Sequence, residues 1–378
     1  MSSTTPTRES SARRPRVGVL GAGQLGRMLA LAGYPLGIDF SFVDPNGDSP
    51  AGVLAPLLAA DYGSPEALAA LAECDVVTYE FENVPVEAAL ALEARVPVRP
   101  SVRALGVSQD RLLEKRCFRE LGIPTAPFFD VGSLAELEAA VEQAGLPAVL
   151  KTRRLGYDGK GQRVLRSAAD VAPAFAELGG VPLILEGFVA FERELSLLAV
   201  RSATGETAFY PLVENHHDGG ILRLSLLPAP NVDAELDASA KRYGRALLDR
   251  LDYVGVLALE LFEAHGELYA NEIAPRVHNS GHHSIEGAQT SQFENHLRAV
   301  LGLPLGSTEP VGCSAMLNCI GSMPDAHAVL SVPDAHLHDY GKTPRAGRKL
   351  GHVTLRAPDR KTLAERLSLL RPKIWQID

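Results

Sequence analysis

Residues 255–276 form the stretch that most constrains the fold of this chain. The segment GVLALELFEAHGELYANEIAPR places two apolar runs on either side of EAHGE, which predicts a β-hairpin with Gly266 in its turn. Folding the segment about Gly266 sets Glu260 opposite Glu272, because each lies six residues from that glycine. Like charges in opposed positions destabilise a pair of strands unless another group compensates them.

A divalent cation is the natural compensation for these two carboxylates. Asn271 adjoins the pair, and a few hard oxygen ligands acting together with substrate phosphates are typical of magnesium–nucleotide sites. The hairpin therefore predicts a metal site on Glu260 and Glu272. The alternative is that one glutamate points into solvent or pairs with an arginine, because a shift of one residue in register turns a side chain to the other face.

The segment PRVHNSGHH, residues 275–283, follows the hairpin at once. Its histidines at 278 and 282 have the spacing of a zinc pair on a helix, but the intervening Asn-Ser-Gly argues against a helix and hence against zinc. A loop of donors suits an anionic or polar substrate better, and a solvated surface loop is the alternative. The donors in this loop are Arg276, His278, Asn279 and Ser280.

Two glycine-rich stretches predict phosphate sites of different kinds. KTRRLGYDGKGQ, residues 151–162, has three glycines and two lysines but lacks the Gly-Lys-Ser/Thr that opens a helix in a P-loop. GAGQLG, residues 21–26, matches the dinucleotide fingerprint, with Asp44 lying 18 residues beyond Gly26. Taken alone it favours a dehydrogenase, and the alternative is a tight strand-to-helix turn that requires glycine. The predicted metal site counts against the dehydrogenase.

The composition excludes several classes of protein. A net charge of −9 argues against a general nucleic-acid binder. The four cysteines lie far apart, which argues against a disulfide framework and fits a reducing cytoplasm. No apolar run reaches the length of a membrane span. The first 15 residues lack the apolar core of a secretory signal, so we expect a disordered tail, with a short organelle address as the alternative.

Strand and helix patterns alternate in the first part of the chain. RVGVL (16–20), IDFSFVD (38–44) and CDVVTYEFE (74–82) read as strands separated by helical spacing, which predicts a parallel sheet. SQDRLLEKRCFRELG then predicts a helix with Ser108 as its N-cap and Gly122 as its end.

Together these stretches resemble the ATP-grasp superfamily and, within it, the 5-(carboxyamino)imidazole ribonucleotide synthases of purine biosynthesis. The resemblance runs in order from residue 18 to about residue 352. GYDGKGQ together with NEIAPRVHNSGH is highly specific, whereas GAGQLG alone is not. The other carrying motifs are YEFENV, ILEGFV, YPLVENHHDGGILR, YVGVLALELF and GRKLGH.

The resemblance implies a fold of mixed α/β and α+β class. We expect a disordered tail, a Rossmann-like N-terminal domain, a central lid domain, an ATP-grasp C-terminal domain and a small β-rich subdomain, with ATP between the lid and the ATP-grasp C-terminal domain. The expected limits, in that order, are residues 1–15, 16–107, 108–190, 191–310 and 311–378.

For the nucleotide, the resemblance implies a glycine loop over the triphosphate, cations on the phosphates, a hinge that reads adenine through its backbone, and a ribose-binding carboxylate. Glu260 and Glu272 match the ligands of magnesium, for which manganese is a possible substitute. Of the adjacent histidines, we favour His217 over His216 as the one facing ATP. The residues assigned to ATP are Arg111, Lys151, Gly156, Tyr157, Asp158, Gly159, Lys160, Gly161, Gln162, Glu186, Gly187, Phe188, Val189, Glu194, His217, Asn271 and Glu272.

For the second substrate, aminoimidazole ribonucleotide, the resemblance places Tyr157 in the loop near the imidazole. Lys342 and Arg348 would bind the 5′-phosphate, and Gln24 and Glu82 would meet the ribose, which leaves Asp44 without a necessary role. The residues expected around the reacting groups are Asp158, Arg276, His278, Asn279 and Ser280.

The implied activity is a ligase reaction in which ATP, bicarbonate and aminoimidazole ribonucleotide give ADP, phosphate and the N-carboxylated product through carboxyphosphate. A cytoplasmic homodimer without nucleic-acid or membrane partners is expected. The alternative within the superfamily is an enzyme that uses formate to formylate glycinamide ribonucleotide. A catalytically dead nucleotide-binding regulator is a further alternative, against which the retention of both glutamates, Lys151 and the glycine loop argues.

Overall fold

The structure is a computed structural model that describes residues 13–156 and 160–375. Tyr157, Asp158 and Gly159, assigned above to the glycine loop, lie outside the described residues, as does most of the predicted tail. Among the described helices, none is both long and apolar enough to cross a membrane.

The N-terminal part is a four-stranded parallel sheet in the order β3-β2-β1-β4, as the alternating pattern predicts. Val17 and Val19 on β1 pack in one core cluster with helix α1, whereas Leu20 packs in another with α2 and α3. Its elements are β1 Arg16–Leu20, α1 Gln24–Gly33, β2 Asp39–Asp44, β3 Leu57–Ala59, α2 Pro65–Ala72, β4 Val76–Tyr79, α3 Val86–Glu93 and α4 Val102–Ser108.

The central part is an antiparallel sheet in the order β5-β8-β6-β7 with helices on it. The predicted N-cap at Ser108 is wrong. Ser108 ends α4, and Asp110 caps the next helix by accepting a 3.0 Å hydrogen bond from Leu112 N, because the Asp carboxylate reaches the free amides of the first turn. The elements are α5 Arg111–Glu120, β5 Phe128–Val131, α6 Leu134–Ala144, β6 Ala148–Thr152, β7 Gln162–Leu165, α7 Val171–Leu178 and β8 Leu183–Gly187.

The remaining strands form one antiparallel sheet in the order β14-β13-β9-β11-β12-β15-β17-β16, with β10 paired to β9. Strand β15 pairs with β12, so the described part of the segment predicted as a small subdomain, residues 311–375, continues this sheet, and its core with α12 includes Leu224 of β12. The elements are β9 Arg193–Arg201, β10 Thr207–Phe209, β11 Val213–Asp218, β12 Ile221–Leu227, α8 Ala234–Arg250, β13 Gly255–Ala264, β14 Glu267–Ala274, α9 Ser284–Gly287, α10 Gln292–Leu301, β15 Cys313–Ile320, α11 Ala326–Leu330, β16 Ala335–Asp339, β17 Lys349–Ala357 and α12 Arg360–Ile374.

Strand β14 is the edge of this sheet, and α5 covers it. Glu114 accepts a 2.7 Å hydrogen bond from Ile273 N, and Lys115 Nζ lies 3.3 Å from Ala270 O. The unpaired backbone groups of an edge strand need such partners when they are buried. The first helix of the central part is thereby fixed to the strand that carries Glu272.

Candidate active site

The hairpin of β13 and β14 sets Glu260 directly opposite Glu272, as predicted. The turn is His265–Gly266, with positive φ at both residues, which is the backbone of a tight hairpin turn. A bulge lies beside the pair, and Asn271 is the extra residue of β14 at that point.

The two carboxylates share one largely buried site and titrate differently. Burial and repulsion from Glu260 raise the pKa of Glu272. Burial opposes ionisation of Glu260 too, but His278, whose Nε2 lies 3.1 Å from Glu260 Oε1, lowers the pKa of that carboxyl. A buried acid with a raised pKa beside an ionised one is a site that gains from a cation. The donor set, two carboxylates with Asn271 beside them, fits magnesium, which prefers oxygen ligands.

The loop after β14 turns His278 toward this pair. His278 Nδ1 lies 2.9 Å from Ser280 Oγ, and Gln292 fixes the loop by accepting from His278 N at 2.9 Å and donating to His278 O at 2.7 Å. Both polar atoms of the Asn279 side chain are buried, with no hydrogen-bond partner among the described residues. An unpaired buried amide is costly, so Asn279 is a candidate for contact with a ligand.

Arg276 leaves the same loop in the opposite direction and pairs with Glu82 of the N-terminal part. Burial would raise the pKa of Glu82, but Arg276 outweighs it and lowers that pKa. The guanidinium also donates to Val277 O at 3.1 Å, which fixes its plane. Two residues predicted to meet the ribonucleotide thus lie in contact, and the ion pair joins the parallel sheet to the large sheet.

Lys342, one of the two residues predicted to bind the 5′-phosphate, lies beside the start of α1. Lys342 Nζ donates to Gln24 Oε1 and lies 3.4 Å from Lys349 O. Arg348 donates to Thr343 O at 3.0 Å. Burial first, and then the nearby Arg348, lower the pKa of Lys342 to about 8. An anion between two such cations would be stabilised strongly.

Glu186, near the end of β8 and predicted to bind the nucleotide, pairs with two lysines. Its carboxylate lies 3.1 Å from Lys151 Nζ on the adjacent strand β6 and 3.2 Å from Lys115 Nζ on α5. Burial would raise the pKa of Glu186, but the two lysines outweigh it and lower the pKa to about 2. Lys115 is 2 % exposed and was missed by sequence reasoning; the signal available was its place on the buried face of α5, three residues after Leu112.

Arg111, predicted to contact ATP phosphates, braces the base of the glycine loop. Its Nη1 donates to Thr152 O and its Nη2 to Gly156 O, each at 3.0 Å. At the other end of the loop, Gly161 O accepts from Thr152 N at 2.8 Å, and Gln162 pairs with Lys151. The described ends of the loop are therefore joined at one point, beside Lys151.

The segment predicted as the hinge follows Glu186. Gly187 N and Phe188 N donate to Pro127 O and Pro147 O, and the Phe188 ring is half exposed. Val189 follows in the same segment.

Of the adjacent histidines, His217 Nδ1 lies 2.5 Å from Glu194 Oε2, whereas His216 contacts Glu214 at 3.0 Å and is half exposed. The hydrogen bond and charge of Glu194 outweigh burial and raise the pKa of His217, and Glu260 adds to this rise. His217 is therefore the ring that pairs with Glu194, the carboxylate predicted to bind the ribose, whereas His216 pairs with Glu214.

The family models assign the chain to a class, the ATP-grasp ligases. Family models match in the same order along the chain: a ribonucleotide synthetase preATP-grasp domain over residues 15–109, an ATP-grasp domain over 116–293, and a phosphoribosylaminoimidazole carboxylase C-terminal domain over 314–366.

Known proteins narrow this class to one family. The N5-carboxyaminoimidazole ribonucleotide synthase of Pseudomonas aeruginosa is 60% identical over 354 residues, covering 93% of this chain and 98% of the relative. The crystal structure of the synthetase from Thermus thermophilus has a TM-score of 0.92 at 56% identity, covering 96% and 99%. A crystal structure from Aspergillus clavatus, in complex with ADP and 5-aminoimidazole ribonucleotide, has a TM-score of 0.89 at 34% identity, covering 96% and 99%. The chain belongs to the N5-carboxyaminoimidazole ribonucleotide synthase family.

Proposed function

We propose that this chain carboxylates 5-aminoimidazole ribonucleotide on its amino group, using ATP and bicarbonate and releasing ADP and phosphate, as a step of purine biosynthesis. The observation that carries the proposal is a set of paired polar and charged side chains drawn from all three parts of the fold. The pairs are Lys151 with Glu186, Glu272 opposite Glu260, Glu260 with His278, Arg276 with Glu82, and Lys342 with Gln24.

The residues proposed to bind ATP would neutralise the charge on its phosphate oxygens. Phosphoryl transfer calls mainly for positioning and for cations on the phosphate oxygens. Arg111 and Lys151 would supply these cations, and the charge of each lowers the pKa of Glu272 against the effects of burial and Glu260. Magnesium, held by Glu260 and Glu272 beside Asn271, would neutralise developing charge on the phosphate oxygens. Adenine would lie against the hinge at residues 186–189 and the ribose against Glu194 and His217.

The first chemical step forms carboxyphosphate. A bicarbonate oxygen attacks the γ-phosphorus, the bond from that phosphorus to the β–γ bridging oxygen breaks, and ADP leaves. The substrate's amine then captures the carboxyl group or the CO2 released from carboxyphosphate, inorganic phosphate leaves, and the amine loses a proton. Carboxyphosphate would hydrolyse in open water, so the glycine loop from Gly156 to Gln162 has to cover it.

The second substrate, aminoimidazole ribonucleotide, would bind between the large sheet and the N-terminal part. Arg276, His278, Asn279 and Ser280 would surround the imidazole and the activated carboxylate, together with Tyr157 and Asp158 of the loop. The support is the unpaired buried amide of Asn279 and the bond by which Ser280 orients His278. Lys342 and Arg348 would bind the phosphate, and Gln24 and Glu82 the ribose.

The proposal includes a cytoplasmic homodimer and the domain limits 16–107, 108–190, 191–310 and 311–378. Closed twofold dimers are the commonest symmetric oligomers, and four separated cysteines suit a reducing compartment.

ADP release by the purified protein with magnesium–ATP tests the activity. We expect release to require aminoimidazole ribonucleotide, and labelled bicarbonate to enter an acid-labile product. Release that is indifferent to the ribonucleotide, but stimulated by formate and glycinamide ribonucleotide, would replace this proposal with the formyl-transfer alternative. Light scattering of the same preparation measures the oligomeric state.

A further inference from the structure

The glycine turn at residues 21–26 holds one of the protein's own carboxylates where a dinucleotide-binding turn would hold a phosphate. Glu80 Oε2 accepts a 2.6 Å hydrogen bond from Gly26 N, and Glu80 Oε1 accepts another from Gly23 N. Both amides lie at the start of α1, where backbone donors have no partner within the helix and the helix dipole favours an anion. Glu80 is itself 8 % exposed, so this anion is built into the fold.

The glycines of the turn make room for Glu80. A Cβ on Gly23 would lie 2.6 Å from Glu80 Oε1, and a Cβ on Gly21 would lie 2.7 Å from Glu80 Cγ. Gly21 also has a φ of +97°, which other residues rarely adopt. The glycines therefore allow the Glu80 side chain, which follows β4, to approach the backbone of the turn closely.

The acidic residue of the dinucleotide fingerprint, Asp44, also bonds to groups of the protein itself. Asp44 accepts a 2.9 Å hydrogen bond from Ala22 N and a 2.8 Å hydrogen bond from Asn46 N. Both features that suggest a dinucleotide site are thus satisfied by Glu80 and Asp44, and a pyrophosphate at the turn would meet the Glu80 carboxylate. This is the physical reason that GAGQLG does not make the chain a dehydrogenase.

Glu80 also reaches the ribonucleotide end of the active site through α1. Gln24 is the first residue of α1, between the two amides that Glu80 holds, and its Oε1 accepts from Lys342 Nζ. We infer that Glu80 is a positioning residue for the ribonucleotide: it fixes the first turn of α1, and through it Gln24 and Lys342, and it keeps phosphate out of the turn. This inference deepens the proposed function and rests on it for the identity of the ligand.

A ligand-binding test that needs no activity uses Glu80→Ala. The alanine keeps the Cβ, so acetate has the methyl and carboxylate groups that replace what was removed. We expect acetate, compared with chloride at equal ionic strength, to raise the melting temperature of Glu80→Ala but not of the wild type or of Glu80→Gln. A crystal of the variant should show acetate between Gly23 N and Gly26 N. Absence of selective stabilisation would overturn the assigned anion position.

Kinetics test the positioning role. In Glu80→Gln we expect the KM for aminoimidazole ribonucleotide to rise about tenfold while kcat and the KM for ATP stay within about twofold, because the residue acts on binding and touches no reacting atom. Acetate should restore this KM in Glu80→Ala and leave Glu80→Gln unchanged. Asp44→Asn, in the same turn, is the matched control and should leave the KM within about twofold. A KM unchanged in both Glu80 variants would overturn the positioning role.

The acetate experiment and the kinetics together distinguish a failure of this inference from a failure of the proposed function. If the wild type does not turn over aminoimidazole ribonucleotide, the proposed substrate is wrong, and the acetate experiment still decides whether Glu80 fills the anion position. If the wild type is active but acetate neither stabilises Glu80→Ala nor lowers its KM, the inference is wrong and the proposed function stands.

Discussion

Glu260 and Glu272 face each other across β13 and β14 because a bulge offsets the turn. The hairpin turns between His265 and Gly266, so that Ala264 pairs with Glu267, and an unbroken ladder would set Glu260 opposite Asn271. The bulge inserts one residue on β14 and brings Glu272 into register instead. Glu260 and Glu272 are therefore opposite each other because Asn271 is left out of the pairing between the two strands.

We expect Glu272→Gln to lower kcat by roughly two orders of magnitude or more, because the variant loses one of the two charges that would hold the metal at the developing phosphate charge. The measurement is ADP release with magnesium–ATP, bicarbonate and aminoimidazole ribonucleotide. The same change should raise the melting temperature of the metal-free protein, because the raised pKa of Glu272 shows that its charge is unfavourable there.

Glu267→Gln is the matched control for this prediction, since Glu267 lies on the same strand with its side chain exposed. It should leave both kcat and the metal-free melting temperature near those of the wild type. Full activity in Glu272→Gln would remove the metal assignment.

The adjacent histidines give a paired prediction. His217→Ala should raise the KM for ATP about tenfold, the effect of losing one charge-assisted contact beside the ribose site. His216→Ala should change it less than about twofold, because this ring contacts Glu214 and is half exposed. Initial rates at varied ATP distinguish the two, and the opposite order would mean that His216 is the nucleotide contact.

A buried lysine predicts a stability effect coupled to nucleotide binding. Lys115→Met leaves Glu186 with Lys151 as its remaining ion-pair partner among the described residues, and breaking a buried pair costs about 3 kcal/mol or more of unfolding free energy. Urea unfolding measures this cost, and the KM for ATP should rise because Glu186 begins the hinge.

Two further variants check the cause of that loss. Glu186→Gln, added to Lys115→Met, should restore part of the lost stability, because it removes a buried charge that has lost one of its two lysine partners. Lys241→Met breaks a partly exposed pair with Asp237 on one helix face and should cost less than about 0.5 kcal/mol. Equal losses for the two lysines would show that the buried pair has no special role.

The sequence predicts the site better where its residues are close along the chain. The hairpin pair and the parallel order of the first strands follow local patterns. The register prediction is confirmed, although for a reason that counting from Gly266 does not contain, because the turn centre and the bulge offset each other. Local spacing has no signal for such a compensation.

The contacts that sequence reasoning missed join distant segments. Glu80 lies 57 residues from Gly23, and Lys115 lies 155 residues from Ala270, so nothing in either local pattern indicates the partner. The glycine turn illustrates the difficulty, because phosphate and a buried carboxylate make the same demand on backbone amides and on glycine. Only the fold shows which anion is present.

Two buried histidines predict acid sensitivity. Burial lowers the pKa of His283 to about 3 and that of His296 to about 4, and His296 is held neutral between Val256 N and Thr78 Oγ1. A histidine in the unfolded chain takes up a proton near pH 6.5, whereas these two resist it when folded. Stability should therefore be fully present above about pH 6.5 and fall toward pH 4, by about 1.4 kcal/mol per pH unit for each histidine.

Urea unfolding at pH 7 and pH 5 measures this dependence. His296→Gln should be less stable than the wild type at pH 7, because it loses buried hydrogen bonds, yet lose about 1.4 kcal/mol less per pH unit on acidification. His283→Gln should show the same reduction in slope. His327→Gln, at an exposed position, should run parallel to the wild type. If all three variants run parallel to the wild type, His283 and His296 do not set the acid limit, and His282 and His352, whose pKa burial also lowers, would be the groups to test next.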